Sequence, residues 1–179
     1  MLYMFLAPGF EEVEAIAAVD VLRRAKVEVF TVGVGAKTIA GSHGIPVTCD
    51  KTDSEITLDG VEGIILPGGM PGTINLENSP VVKRFILHCA ENNLLLCAIC
   101  AAPSILGHMG LLKGKTATCF PGFEEDLYGA EVHNALVCKH GRLITARGMG
   151  CAVDFGIKIA AEFIGEEKAA ALRATLQCQ

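Results

Sequence analysis

Short β-rich apolar runs recur along this chain, and each stops at glycine, proline or a polar turn. They are LYMFLA (Leu2–Ala7), VEVFTVG (Val27–Gly33), GIILPGG (Gly63–Gly69), LLLCAI (Leu94–Ile99) and RLITA (Arg142–Ala146). Runs with no polar alternation suit strands buried on both faces, which is the condition of a parallel sheet. Helical patterns fall between them, over Glu11–Ala25, Pro80–Asn92 behind Ser79, and Ala101–Met109. Alternation of this kind predicts an α/β fold with a mostly parallel sheet covered by helices on both sides. The first helix has Glu11, Glu12 and Glu14 in its opening turn and Arg23-Arg24 in its last, which matches the helix dipole. A hairpin or edge strand is expected near Ile45–Thr48, a strand at TATCF (Thr116–Phe120), and a pair, ALVC (Ala135–Cys138) and RLITA, joined by a tight turn at KHG. Two helices, Ala152–Ile164 and Glu166–Leu176, are parted by Gly165. With no repeats, low-complexity tracts or linkers, residues 1–179 read as one domain.

Several function classes are excluded before any motif is weighed. A net charge of −5, with no block of like charges, leaves no basic surface to neutralise nucleic-acid phosphates. Leu94–Leu112 lacks Asp, Glu, Lys and Arg, but Pro103, Gly107 and Gly110 interrupt it, so a buried strand and helix explain it better than a membrane span. The N-terminus has no positive region ahead of its short apolar run and is not expected to be a signal peptide. Eight cysteines stand mostly inside apolar runs without framework spacing, which points to reduced thiols in the cytoplasm. A mean hydropathy of +0.43 is apolar for a monomer and leaves surface for a partner subunit.

Cys97 and Cys100 form a C-x-x-C. A structural zinc needs four ligands in close pairs, and no second C-x-x-C or H-x-x-x-H exists. No metal is expected. Along a strand the two cysteines would lie about 10 Å apart at 3.3 Å per residue, beyond the ~7 Å between Cα atoms that a disulfide tolerates. Cys97 therefore reads as a core residue. Cys100 stands where the strand turns into a helix, within Ala98-Ile99-Cys100-Ala101-Ala102. Small residues two positions either side permit the crowded turn of a nucleophile elbow, and a helix N-terminus beyond it should lower the thiol pKa. A buried cysteine that merely packs is the alternative.

Two other strand ends carry chemistry. Gly68-Gly69 can expose backbone N–H groups to an anion, although a simple tight turn has the same composition. Neither this segment nor GMG at Gly148–Gly150 meets the dinucleotide fingerprint, so no nucleotide cofactor is expected. Among the opening glutamates, Glu14 has Ala18 and Val21 on its stripe and Glu11 has Ala15, Ala18 and Leu22. Periodicity does not choose which of them points inward. The helix is apolar nearly all round, which suggests a second burying surface such as a dimer interface.

Together, APGFEEVEA with VDVLRRA (Ala7–Ala25), ILPGGMPG (Ile65–Gly72), AICAAP (Ala98–Pro103) and TARGMG (Thr145–Gly150) resemble the ThiJ/PfpI superfamily, most closely its DJ-one (Parkinson disease protein seven) branch. The resemblance covers nearly the whole chain. It implies a flavodoxin-like three-layer α/β sandwich and a homodimer packed through the first helix. It implies that Cys100 is the reactive cysteine and Glu14 the carboxyl that contacts its sulfur, with Gly69 and Ala101 offering backbone N–H groups to an oxyanion. Gly68, Glu11, Arg24, His43 and Phe120 fall at positions that line the pocket. A protonated Glu14 would donate to a thiolate, so Cys100 is expected to ionise near neutral pH.

The chain also departs from the pattern. Ala101 follows the cysteine where peptidases of the superfamily have histidine, so peptidase activity is not expected. Phe120-Pro121 replaces a His-Pro pair common in the branch, and His43 replaces an arginine common there. The activity implied is a cofactor-independent glyoxalase or deglycase, acting on small α-oxoaldehydes such as methylglyoxal or on their protein adducts. A redox sensor or redox-regulated chaperone working through oxidation of Cys100 is the alternative.

Overall fold

The computed structural model describes residues 1–178. In chain order the strands are β1 (Leu2–Leu6), β2 (Val29–Gly33), β3 (Thr38–Ala40), β4 (Pro46–Thr48), β5 (Lys51–Thr52), β6 (Gly63–Leu66), β7 (Leu95–Ile99), β8 (Thr116–Ala117), β9 (Glu131–Val132), β10 (Val137–His140) and β11 (Leu143–Ala146). The helices are α1 (Glu12–Arg24), α2 (Gly72–Asn78), α3 (Pro80–Glu91), α4 (Pro103–His108), α5 (Ala152–Ile164) and α6 (Glu166–Thr175). Seven strands form the central sheet in the order β10-β11-β7-β6-β1-β2-β5. All neighbours run parallel except β10 and β11, which form an antiparallel hairpin at one edge. This is the flavodoxin-like arrangement the sequence predicts.

The period-2 alternation of strand side chains divides the core into two layers. Leu2, Met4 and Leu6 of β1 join Ile65, Cys97, Ile99 and Ile144 under α1 and α5. Tyr3 and Phe5 turn the other way and join Ile64, Leu66, Leu96 and Ala98 under α3 and α4. On that side Phe85 of α3 meets Tyr3 and Phe5 edge-on, with ring centroids 5.6 and 5.4 Å away. Each such fully buried side chain contributes about 1.5–3 kcal/mol. On the other side Gly156 lets α5 press against α1, since a Cβ there would sit 3.0 Å from Val21 Cβ and 3.2 Å from Ala18 Cα.

Differences from the sequence reading are local. The hairpin turn is Gly141-Arg142 rather than KHG, because Lys139 and His140 pair with Ile144 and Leu143. TATCF supplies only the two residues of β8, paired with β9 in a small separate sheet. The hairpin expected near Ile45–Thr48 is β3 with β4. Helix α2 was not anticipated, because seven residues opening on glycine carry too little helical period; it is held on β1 and α3 by tertiary contacts. Cys97 is buried in β7, and all eight cysteines are free thiols. Leu94–Leu112 resolves into β7 and α4, and among the described residues no helix is long and apolar enough to cross a membrane.

Candidate active site

Parallel strands deliver their following loops to one edge of the sheet, and three of those loops converge here. The turns after β1 and β6 are pressed together. Gly9 has φ +84° and a Cβ on it would meet Pro71 Cδ at 2.5 Å, while the Glu11 N–H donates to the Gly68 carbonyl at 2.9 Å. This contact docks the start of α1 against Gly68-Gly69. The Glu11 side chain then caps α1, its Oε2 accepting the Glu14 N–H at 2.7 Å. The capping role settles the choice between the two glutamates. Glu14, one turn on, points into the protein and is 1% exposed.

Cys100 follows β7 in the left-handed region, with φ +64°. The other non-glycine residues with positive φ among those described, Lys26, Asn93 and Gln177, all follow helix ends. Cys100 alone takes this conformation after a strand, at a cost of about 1–3 kcal/mol. Its backbone is held on both sides. The N–H donates to the Ala146 carbonyl at 2.9 Å, and its carbonyl accepts the Phe120 N–H at 2.8 Å. The left-handed turn delays the helix, so α4 starts at Pro103 rather than Ala101.

Glu14 and Cys100 meet over Gly68. The Cys100 thiol is hydrogen-bonded to the Glu14 carboxyl, whose Oε2 also accepts the Gly68 N–H at 2.9 Å, and the Met149 N–H reaches the same carboxyl. Only glycine fits at 68: a Cβ would lie 2.6 Å from Cys100 Cβ and 2.9 Å from Glu14 Oε2. The backbone N–H groups of Ala101 and Gly69 point at the sulfur. Gly69 itself has φ +89°, the conformation that turns its N–H inward.

The electrostatics correct one expectation. Burial lifts the Glu14 carboxyl to about 7, and the Glu11 carboxylate adds to the rise; hydrogen bonds from the Cys100 thiol, Gly68 and Met149 oppose it. Burial, and next the Glu14 charge, push the Cys100 thiol up to about 12, outweighing the N–H groups of Ala101 and Gly69. A thiol that ionises by itself near neutral pH is therefore not what this pocket holds. Instead the pair loses its first proton near pH 7 and keeps the second well above it. In between, the thiol keeps its proton beside an ionised Glu14 carboxylate.

The remaining predicted residues divide. Phe120 flanks the site, with its ring 3.2 Å from where a Gly148 Cβ would stand, and that position is 4.0 Å from Glu14 Oε1. His43 lies over the start of α1 but bonds Glu12, a residue the sequence reading did not select. Glu12 is 6% exposed, and its carboxylate accepts the His43 N–H at 2.8 Å, the Ser42 hydroxyl at 3.2 Å and the Ile45 N–H at 3.4 Å, with His43 Nδ1 at 3.0 Å. Burial alone would raise its pKa, but these bonds outweigh it and hold Glu12 at about 2. Ligand atoms of Glu11, Glu12 and His43 lie within 4.8 Å of one another. The Glu12 oxygens already accept these donors and the Glu11 carboxylate caps α1, so nothing marks this cluster as a metal site. Arg24 pairs with Asp20 through Nε at 2.6 Å. It stands ten residues along α1 from Glu14, roughly 15 Å at 1.5 Å per residue, and the single chain does not bring it to Cys100.

Comparison with known proteins agrees with this fold. The DJ-1/PfpI family profile matches residues 1–162. Protein dj-1beta of Drosophila melanogaster is 36% identical over 168 residues, covering 92% of this chain and 90% of that protein. The crystal structure of Drosophila melanogaster DJ-1beta superposes with a TM-score of 0.93 at 34% identity, over 99% of this chain and 97% of that one. A Caenorhabditis elegans protein described as a glutathione-independent glyoxalase is 29% identical over 160 residues, covering 88% of this chain and 85% of that protein. With the profile spanning nearly the whole chain and a full-length relative above 30% identity, this chain belongs to the DJ-1/PfpI family.

Proposed function

We propose that the chain is a cofactor-independent glyoxalase, converting α-oxoaldehydes such as methylglyoxal to hydroxy acids, with the same chemistry acting on the adducts of such aldehydes with protein thiols or amines. The observation that carries this reading is the sulfur of Cys100 hydrogen-bonded to a buried carboxyl held at about 7, beside two inward backbone N–H groups. The similarity to the nematode glyoxalase supports it.

With Glu14 ionised, its carboxylate takes the thiol proton as sulfur attacks the aldehyde carbon. A C–S bond forms, the carbonyl electron pair moves to oxygen, and Glu14 returns the proton there to give a hemithioacetal. Glu14 then removes the hydrogen of that carbon as a proton, and the enediol so formed is protonated on the neighbouring carbon. The first carbon is thereby oxidised to a thioester and the second reduced to an alcohol. Water adds to the thioester, the C–S bond breaks, sulfur regains its proton and the hydroxy acid departs. The net change is addition of one water, so no external oxidant or reductant is needed. The N–H groups of Gly69 and Ala101 are suited to an oxygen that gains charge beside the sulfur.

A second reading, redox sensing by oxidation of Cys100 with peroxide, uses the same groups. Six cysteines are buried and two, Cys100 and Cys178, are partly accessible; at Cys100, Glu14 with the two N–H groups could hold a sulfinate. Homodimerisation through α1 is proposed alongside, on the basis of exposed Val13 and Ile16 on that helix.

The deciding experiment follows methylglyoxal and lactate by NMR, without glutathione, for the native chain, Cys100→Ser and Glu14→Gln. Many turnovers to lactate, lost in both variants, are expected. Consumption of methylglyoxal at similar rates in all three, with no lactate, refutes the glyoxalase reading and leaves the sensor.

A further inference from the structure

An apolar groove of about 420 Å³ opens beside the reacting pair, lined by Phe120, Pro121, Leu136, Gly148 and Met149. Its walls connect directly to the chemistry. The Phe120 N–H holds the Cys100 carbonyl, Gly148 stands against Glu14 Oε1, and the Met149 N–H bonds the Glu14 carboxyl. A substituent on the carbon next to the one under attack at Cys100 therefore has this groove within reach. Phe120, Leu136 and Met149 are 46%, 58% and 53% exposed, an unusual amount of large apolar surface for one small patch. The charged lining residue is Arg147, and its guanidinium is engaged by the Asn134 carbonyl oxygen. No carboxylate lines the groove.

We infer that this groove selects α-oxoaldehydes carrying a neutral, apolar substituent of aryl or similar size, in preference to methylglyoxal or to hydroxylated, sugar-derived aldehydes. The inference rests on the glyoxalase reading and names its substrate class. A methyl group leaves nearly all of the groove in contact with water, whereas a phenyl ring covers Phe120 and Leu136 and removes apolar surface on both partners. A hydroxylated chain would lose hydrogen bonds to water and find few partners on these walls. The reaction is the one given above: phenylglyoxal plus water yields mandelate and a proton, with the first carbon oxidised and the second reduced.

The test compares kcat/KM for phenylglyoxal, methylglyoxal and hydroxypyruvaldehyde, each read as the hydroxy acid formed, so that side reactions of the aldehydes with arginine do not count. Phenylglyoxal should lead methylglyoxal by about tenfold or more, the scale on which apolar pockets discriminate. Leu136→Asp, a change at a half-exposed side chain outside the reacting groups, should lower the phenylglyoxal value about tenfold, several times more than it lowers that for methylglyoxal. Equal or better turnover of methylglyoxal in the native chain, or an equal loss for both aldehydes in the variant, overturns the inference. If no aldehyde is turned over, the glyoxalase reading fails, and the groove is judged separately by whether acetophenone and acetone shield Cys100 from iodoacetamide. Shielding by acetophenone alone, lost in Leu136→Asp, upholds an apolar ligand class; equal shielding or none refutes it.

Discussion

Replacing Glu14 by glutamine should stabilise the protein at alkaline pH while abolishing its proposed chemistry. The carboxyl is 1% exposed and its pKa rises from 4.5 to about 7, chiefly through burial. An acid that is weaker in the folded than in the unfolded chain binds more protons when folded over the interval between the two values. Stability is then full below 4.5 and falls as pH rises through 7. A rise of this size, at 1.36 kcal/mol per pH unit, corresponds to about 3 kcal/mol lost above pH 7. Glutamine matches the shape, keeps an oxygen for the Gly68 N–H and does not ionise. The variant should therefore exceed the native chain by about 3 kcal/mol at pH 8 and show little advantage at pH 4.5. Urea unfolding at fixed protein concentration across that range measures the difference directly. In thermal melts it corresponds to about 6–12 °C at pH 8, from 2–4 °C per kcal/mol for a chain of this size. The Cys100 thiol stays protonated throughout the interval and does not contribute. An offset independent of pH, or a variant less stable than the native chain at pH 8, refutes the argument.

Other perturbations address the frame around the pair. Gly68→Ala places a methyl 2.6 Å from Cys100 Cβ, so it should cost about 1–3 kcal/mol in stability and lower turnover about a hundredfold by displacing the sulfur; unchanged alkylation and turnover would refute the close packing. Glu12→Gln removes the charge that gathers Ser42, His43 and Ile45, and should release the 41–45 turn; faster amide exchange or proteolysis there, with β7 unaffected, is expected, and unchanged protection would refute it. Ile16→Glu on the exposed face of α1 should shift sedimentation from dimer to monomer; a native chain that already sediments as a monomer refutes the dimer.

The sheet was legible because its strands are buried on both faces and so appear as uninterrupted apolar runs, while period-3.6 patterns marked α1, α3 and α5 between them. The elbow at Cys100 was legible as well, from small residues around a cysteine at a strand end. Short elements were not: α2, β5 and β9 have too few residues for a period to emerge and exist through what they pack against. Glu12 escaped notice for a related reason, because a glutamate in a first turn reads as solvated until a hairpin thirty residues away delivers its hydrogen-bond donors.

What the sequence determined by itself is the order of the main strands and helices and the identity of the candidate reacting groups, because local pattern and residue chemistry are properties of neighbours in the chain. The tertiary structure alone decided that Glu11 caps while Glu14 turns inward, since the choice depends on where the Gly68 carbonyl anchors the start of α1. It also decided the protonation of the site. A strand end and a helix start suggested a thiolate, but desolvation and a carboxyl brought from fifty-four residues before Gly68 reverse that tendency. Both effects scale with burial and distance, which no stretch of sequence contains.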